Sequence, residues 1–394
     1  MDKIKERIKS LEPEIIKLRR DFHMFPELGF EEFETAKKIE SWLQTSGFET
    51  KRVAKTGVTA LLDSGIPGPC LMLRADMDAL PVTEENKVSY KSKNSGIMHA
   101  CGHDAHMAML LVAAKVLREQ KSLFKGKIKF VFQPNEEIAG AVKMIEEGVL
   151  ENPKVDAAMA IHIWSLIPSG RVSITPGVVM GGLDVFKMRI KGRGGHTGYP
   201  HEAIDPVITA ADIIQNVQSI QTREVNAQNP VIIMFGKINA GQKANIIPEY
   251  VDLEGTIRFL NAVPKNSENN PTNKFIRVCK SICQTHQCTC DIGIEHENIP
   301  LINDENMVNL AKKSAAEIFG SSDVIEHARY IAGEDFSEYS SIVPGVFTFL
   351  GCANKDKQTD IPHHNPKFNI DEDVLTKGVE LHVKTALNYL NKAG

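Results

Sequence analysis

VFKMRIKGRGG, residues 185–195, is where the chain changes its period. From Phe186 to Lys191 apolar and polar residues alternate, the pattern of a strand with one buried face. Upstream the strand-like segments GVTALLDS (57–64), CLMLRADM (70–77), KIKFVFQP (127–134) and VDAAMAIHIW (155–164) are short, mostly apolar runs. Such runs suit strands buried on both faces. Helical patterns at 106–119 and 140–148 separate them. Alternating strand and helix predict a sheet with parallel members, covered by helices on both sides.

Downstream of residue 185 the order is different. AIDPVITAADIIQNVQSIQ (203–221) reads as an amphipathic helix, PVIIMFGKINAG and YVDLEGTIRFL as two strands, 274–285 as a helix and 290–295 as a strand. Strand, helix, two strands, helix, strand is the split β-α-β order of a ferredoxin-like unit. Residues 185–295 are therefore expected to form a domain inserted into a first one made of 1–184 and 296–394. The first domain opens with helical segments up to about residue 46. It returns with a helix at 305–319, the strand GVFTFLG (345–351) and a closing helix at 374–392. NAVPKNSENNPTN (261–273) reads as a polar loop. The fold class is α/β: a mixed, largely parallel sheet covered by helices, with an inserted α+β unit.

Composition narrows the function classes. A chain of 394 residues with 42% hydrophobic residues, 24% charged residues and a net charge of −4 reads as an ordinary globular protein, without the basic excess of a nucleic-acid binder. No apolar run reaches the length of a membrane span, and the charged N-terminal segment lacks the apolar core of a signal peptide. Seven cysteines, an odd number in a chain this large, predict reduced thiols rather than a disulfide framework. The expected setting is the cytoplasm and the expected partner a small molecule, with no nucleic acid and no membrane.

The chemistry concentrates in HACGHDAH (99–106), which packs three histidines, a cysteine and an aspartate into eight positions. RADMD (74–78) and QPNEE (133–137) follow predicted strands, His162 lies in or just after the next, and PHHNPKF (362–368) joins from near the C-terminus. Asp, Cys, His and Glu converging from separate segments, at strand ends, is how enzymatic metal sites are built. Taken singly, His162 reads as a satisfied core or surface histidine and QPNEE equally as an acidic helix start, whereas HACGHDAH packs donors where a helical face would want apolar residues and reads as a ligand segment ahead of a polar helix cap at His103 or Asp104. A rival cluster, CKSICQTHQCTC (279–290), holds Cys279, Cys283, His286, Cys288 and Cys290. Its C-x-C pair lacks usual zinc spacing, and its cysteines suit a helix end and alternating strand positions, so the core reading is preferred.

RRDFHMFPELGFEEFETA (19–36), LRADMDALP (73–81), MHACGHDAHMAMLL (98–111), FQPNEE (132–137), GRGGHTGYPHEAIDP (192–206), ANIIPE (244–249) and HNPKF (364–368) together resemble one family. It is the metal-dependent amidohydrolase group that includes hippurate hydrolase, N-acyl-amino-acid aminoacylases and plant indole-acetyl-amino-acid hydrolases. The resemblance implies a catalytic domain with two divalent metals and an inserted lid domain used for homodimerisation. Its implied ligands are Cys101, as a bridging thiolate, with His103, Glu137, His162 and His364. His364 is preferred to His363 for its spacing to Pro366 and Phe368; relatives often have an apolar residue at the latter's place. Glu136 would be the general base, and His196 the lid histidine that stabilises the oxyanion from the partner subunit. Asn245 and Arg258 would bind the substrate carboxylate, and Asp76, Asp78 and Asp104 would orient ligands. Asn135 and Gly333 stand where many relatives have Ala and Ser, which bears on substrate shape. His106 reads as helix-face packing, and His99 stays unassigned.

The expected activity is hydrolysis of N-acyl-L-amino acids, hippurate-like or N-acetylated, to a carboxylate and a free amino acid. Zinc is expected from the soft thiolate, with manganese, cobalt or nickel open. A dipeptidase or an N-acetyl-diaminopimelate deacetylase is the nearest alternative, followed by a catalytically silent metal-binding protein and by a structural adaptor built on the 279–290 cluster.

Overall fold

The computed structural model describes residues 2–392; Met1, Ala393 and Gly394, on which the outer limits of the expected domains fall, lie outside the described residues. The chain divides into two compact units, one comprising Met1–Val179, Ile302–Arg329 and Asp335–Gly394, the other Met180–Leu301 and Tyr330–Glu334.

The first unit begins with helices α1 (Asp2–Ser10), α2 (Glu12–Met24) and α3 (Phe33–Thr45), followed by strands β1 (Thr50–Val53), β2 (Gly57–Asp63) and β3 (Cys70–Asp76). Then come α4 (His103–Glu119), β4 (Lys127–Gln133), α5 (Gly140–Glu146), β5 (Ala157–Pro168), β6 (Val172–Ser173) and β7 (Gly177–Met180). The second unit contributes β8 (Gly182–Lys191), β9 (Gly195–His196), α6 (Pro206–Asn216), β10 (Val231–Ala240), β11 (Ile246–Ile247), β12 (Tyr250–Phe259), α7 (Pro271–Thr285) and β13 (Thr289–Asn298). The return is β14 (Leu301–Asn303), α8 (Glu305–Phe319), β15 (Val324–Ile325), α9 (Phe336–Ser340), β16 (Gly345–Ala353) and α10 (Leu375–Lys392).

Eight strands of the first unit form one mixed sheet in the order β1-β2-β4-β3-β5-β16-β6-β15. Its centre is parallel: β3 with β4, β3 with β5, and β5 with β16. Every residue of β3 is buried, including Arg74 and Asp76, because the strand has a neighbour on each edge and helices above it. Each fully buried Leu or Met in such a run contributes about 1.5–3 kcal/mol, so these strands anchor the sheet. Helix α4 is buried all round except at Lys115, Arg118 and Glu119, and packs on α2 and α10. Beyond its first turn, an apolar helix is what that position demands.

The second unit is a four-stranded antiparallel sheet, β10-β12-β8-β13, with α6 and α7 on one face. That strand order with two helices is the ferredoxin-like arrangement. Phe186, Met188 and Ile190 of β8 face the helices and are buried, while Lys187, Arg189 and Lys191 are exposed and pair with Glu295, Asp252 and Asp291. The alternation read in 185–195 is therefore the sidedness of this sheet.

The structure departs from expectation at element ends. Helix α4 starts at His103 rather than residue 106, α7 at Pro271 rather than 274, and β5 runs four residues further, to Pro168. The short strands β1, β6, β9, β11 and β15 carry no periodic signal and are not anticipated from sequence.

Candidate metal centre

The chain passes from β3 through α4 to β4 on one side of it, then through α5 to β5 on the other. This reversal makes the β3/β5 boundary a topological switch point, where crevices form at the carboxyl ends of strands. The β3–β5 pairing ends at Arg74↔Ala160, although β3 runs on to Asp76 and β5 to Pro168. Asp76, Asp78, His162 and the residues entering α4 gather beyond that last pair.

Two tight turns aim the donors. Gly102, at φ +93°, caps the N-terminus of α4, and a Cβ there would stand 3.5 Å from Ile163. Only glycine adopts this left-handed turn cheaply, so Cys101 sits just before the helix and His103 begins it. After β4, Asn135 (φ 55°) and Ala139 (φ 71°) bracket the single turn Glu136–Ile138. The turn is closed by Gly140, whose Cβ would lie 1.9 Å from the Pro134 carbonyl oxygen. Glu32 holds it from outside, accepting from Asn135 N (2.9 Å) and Thr56 Oγ1 (2.6 Å). Burial pushes the Glu32 carboxyl up to about 7.

The donor atoms fall into overlapping groups whose members lie within 4.8 Å of one another: Cys101, His103 and His162; Cys101, Glu137 and His364; and His103, Glu136 and Glu137. The first two share Cys101. Its Sγ is 3.6 Å from His162 Nε2, and His364 Nε2 is 3.4 Å from Glu137 Oε1. All five residues named as ligands from the sequence are brought together, with Glu136 beside them. His364, at φ 65°, is tied to the cluster by its N–H, which donates to the Ala100 carbonyl (2.8 Å). His363 points elsewhere, with Nε2 2.9 Å from the Ile163 carbonyl.

Hydrogen bonds fix which ring nitrogens are available. His103 Nδ1 donates to the Asp78 carbonyl (2.9 Å), with Asp78 Oδ1 at 3.2 Å, and His162 Nδ1 donates to the Ile163 carbonyl (2.6 Å). Each ring thus turns Nε2 towards the cluster. His103 Nε2 and Glu137 Oε1 are buried without any hydrogen bond. Two orphaned acceptors, a thiol and two further donors fit divalent metal, for which a neutral imidazole with its other nitrogen pinned is the usual ligand. Burial alone would lower the His103 pKa, yet Asp76, Asp78 and Glu137 push it up to about 10, so the cluster favours positive charge. Burial and neighbouring His106 and His363 hold His162 well below the usual range, hence neutral.

The three aspartates divide the supporting work. Asp78 binds His103 and accepts from Glu137 N (3.1 Å). Asp76 accepts from His106 Nδ1 and Arg74 Nη1, both at 2.6 Å, and is 3.8 Å from His103 Nε2, beyond a hydrogen bond. Asp104 faces away, to Arg19 Nε (2.8 Å) and His23 Nδ1 (2.7 Å). His99 is buried with neither nitrogen hydrogen-bonded, and burial pushes it down to about 4. Sequence reasoning missed the buried network of Arg74, Gln133 and Asp335, linked at 2.7–2.9 Å beneath the site. Its trace in the sequence is Arg74 and Gln133 near the ends of mainly apolar strands.

In the second unit, exposed His196 and Asn245 line one cleft of about 650 Å³ with Gly194, Gln242 and Tyr250; Arg258, half-buried on β12, is not among its walls. His196 Nδ1 accepts from Gly198 N (2.9 Å). Cys279, Cys283 and Cys288 are buried in the core of this unit with Phe186, Val251 and Phe275. Among the described residues no group with metal-binding geometry includes them.

Residues 72–388 match the family model described as peptidase family M20/M25/M40. The chain belongs to this family. A thermostable carboxypeptidase of Saccharolobus solfataricus is 37% identical over all of this chain and 99% of its own length. An N-acetyl-L-cysteine deacetylase of Bacillus subtilis is 39% identical over 94% of this chain and 86% of its own. The crystal structure of a dinuclear metal-binding M20 peptidase from Bacillus subtilis superposes with a TM-score of 0.85 at 32% identity, covering 97% of this chain and 99% of that one. As a member of peptidase family M20/M25/M40, the protein is a hydrolase, a metal-dependent amidohydrolase. Among the described residues no helix is long and apolar enough to cross a membrane.

Proposed function

We propose that the protein hydrolyses the amide bond of N-acyl-L-amino acids, with two divalent ions held by Cys101, His103, Glu137, His162 and His364. The observation that carries this reading is the pair of three-donor groups sharing Cys101, whose residues would hold two divalent ions. When bound, such ions lower the pKa of a coordinated water towards about 7 and polarise the scissile carbonyl. Glu136, whose Oε2 is 3.9 Å from His103 Nε2, takes a proton from the attacking water and delivers it to the leaving nitrogen as the C–N bond breaks. His196 is proposed to donate to the developing oxyanion, and Asn245 and Arg258 to hold the substrate carboxylate. The second unit is proposed to act as the lid and to join two copies in a homodimer. The thiolate favours zinc, and seven free cysteines fit a reducing compartment, the cytoplasm.

Hippurate-like and N-acetylated amino acids are the first substrates proposed. The relative named a carboxypeptidase, matched over the whole chain, favours a second reading in which the acyl group is itself an amino acid or peptide. Amino-acid release is to be measured from hippurate, N-acetyl-amino acids, indole-acetyl conjugates and dipeptides, with chelated and with zinc- or manganese-reconstituted protein. The expected result is release only after reconstitution, falling by about 10²–10⁴-fold in Glu136→Gln with metal content unchanged. Equal release from chelated protein, or an unimpaired Glu136→Gln, contradicts the mechanism.

A further inference from the structure

Ile163 follows His162 on β5, past the last residue pair between β5 and β3. Released from that ladder, its backbone polar groups need other partners, and three histidines supply them. The Ile163 N–H donates to His106 Nε2 (2.8 Å), and the Ile163 carbonyl accepts from His162 Nδ1 (2.6 Å) and His363 Nε2 (2.9 Å). Since His106 Nε2 accepts, its Nδ1 carries the hydrogen given to Asp76 Oδ1 (2.6 Å). The strand is thereby tied both to α4 and to the 362–368 loop.

His363 is itself held in place. Its Nδ1 lies 3.3 Å from Ser165 Oγ, and its ring stands 4.7 Å from that of Trp164 and 4.8 Å from that of Phe368. A carbonyl oxygen has two lone pairs, and here both are used by imidazole N–H groups. The second donor fixes the direction of the carbonyl, and that direction decides whether His162 keeps its hydrogen on Nδ1. With the hydrogen on Nε2 instead, His162 would present an N–H and no lone pair to the cluster.

We propose that His363 is a positioning residue for His162: by gripping the Ile163 carbonyl it holds His162 in the Nδ1–H tautomer, with the Nε2 lone pair turned to Cys101. The inference rests on the reading of His162 as a metal ligand, but its first test needs no metal. Long-range ¹H–¹⁵N spectra of the metal-free protein report the His162 tautomer in the wild type, in His363→Leu, which keeps bulk without a donor, and in His363→Gln, which retains an amide N–H. The expected result is the Nδ1–H form in the wild type and largely in His363→Gln, with an Nε2–H population appearing in His363→Leu.

Zinc affinity by chelator competition should then fall roughly 10- to 100-fold in His363→Leu for one of two ions, with partial recovery in His363→Gln. Ser165→Ala, which removes the hydroxyl facing His363 Nδ1, should move both readouts in the same direction by less, and carries the test if His363→Leu does not fold. Wild-type tautomer and affinity in His363→Leu, or in Ser165→Ala should that variant stand alone, overturn the proposal. A wild type that binds no zinc, yet shows the tautomer shift on substitution, refutes the metal assignment instead.

Discussion

Residues 99–106 and 279–290 both crowd sulfur and imidazole donors into a short stretch, and the structure uses them in opposite ways. In the first, a left-handed glycine and a helix N-terminus turn Cys101 and His103 into a crevice where His162, Glu137 and His364 meet them. In the second, Cys279 and Cys283 lie on the buried face of α7, and Cys288 follows in the turn to β13, all packed among Phe, Val and Ile. Burial pushes the Cys283 thiol up to about 12, and Cys279 higher still, so neither offers a thiolate at neutral pH. Donor count does not make a site; strand ends and pinned ring nitrogens do.

The largest effect expected from this contrast is on turnover. Cys101→Ala should reduce amide hydrolysis to background, because the two three-donor groups that contain it lose their shared member, while Cys288→Ala should stay within about threefold of wild type, as for a residue outside the site. Comparable losses in the two variants would erase the distinction between the clusters.

A smaller effect sharpens it. His382 on α10 is buried and its Nδ1 makes no hydrogen bond, so an orphaned imidazole nitrogen also occurs where no ligand set surrounds it. Burial pushes its pKa down to about 3. The unfolded imidazole protonates near 6.5, so between about 6.5 and 3 the unfolded state binds the extra proton. Its contribution to stability is complete above pH 6.5 and is lost as pH falls through that window. Urea unfolding at pH 7 and pH 5 should show a loss smaller by about 2 kcal/mol in His382→Leu than in wild type; equal losses would show that His382 is not held neutral. The smallest effect is in the thiol core, where Cys279→Ala should cost about 1 kcal/mol with no change in bound metal.

Much of the fold is legible in the sequence. The apolar runs at 57–64, 70–77 and 127–134 correspond to β2, β3 and β4, and 305–319 to α8, because burial on both faces leaves an apolar run and burial on one face leaves a period. Strands of two to four residues such as β1, β6 and β15 carry too few positions for any period to show. The start of α4 is hidden in the sequence because its first turn, His103 to His106, is polar yet buried: those polar side chains face Asp78, Arg19, His23 and Asp76 rather than solvent. Asp76 and Asp78 lie two apart in a strand-like register, so the alternation places both on one side without saying which reaches His103; the strand ends at Asp76, and the following turn delivers Asp78. In the sequence the choice of His364 over His363 rests on its spacing to Pro366 and Phe368; the φ of 65° at His364, whose Nε2 lies 3.4 Å from Glu137 Oε1, is not written in that spacing.

The most direct measurement is the metal-to-protein ratio after zinc reconstitution and exhaustive buffer exchange, taken for the wild type, Cys101→Ala and the double variant Cys279→Ala/Cys288→Ala. Two ions per chain in the wild type and the double variant, with loss from Cys101→Ala, is the predicted result. A ratio that survives Cys101→Ala and falls in the double variant would contradict the account and place the metal in the 279–290 cluster.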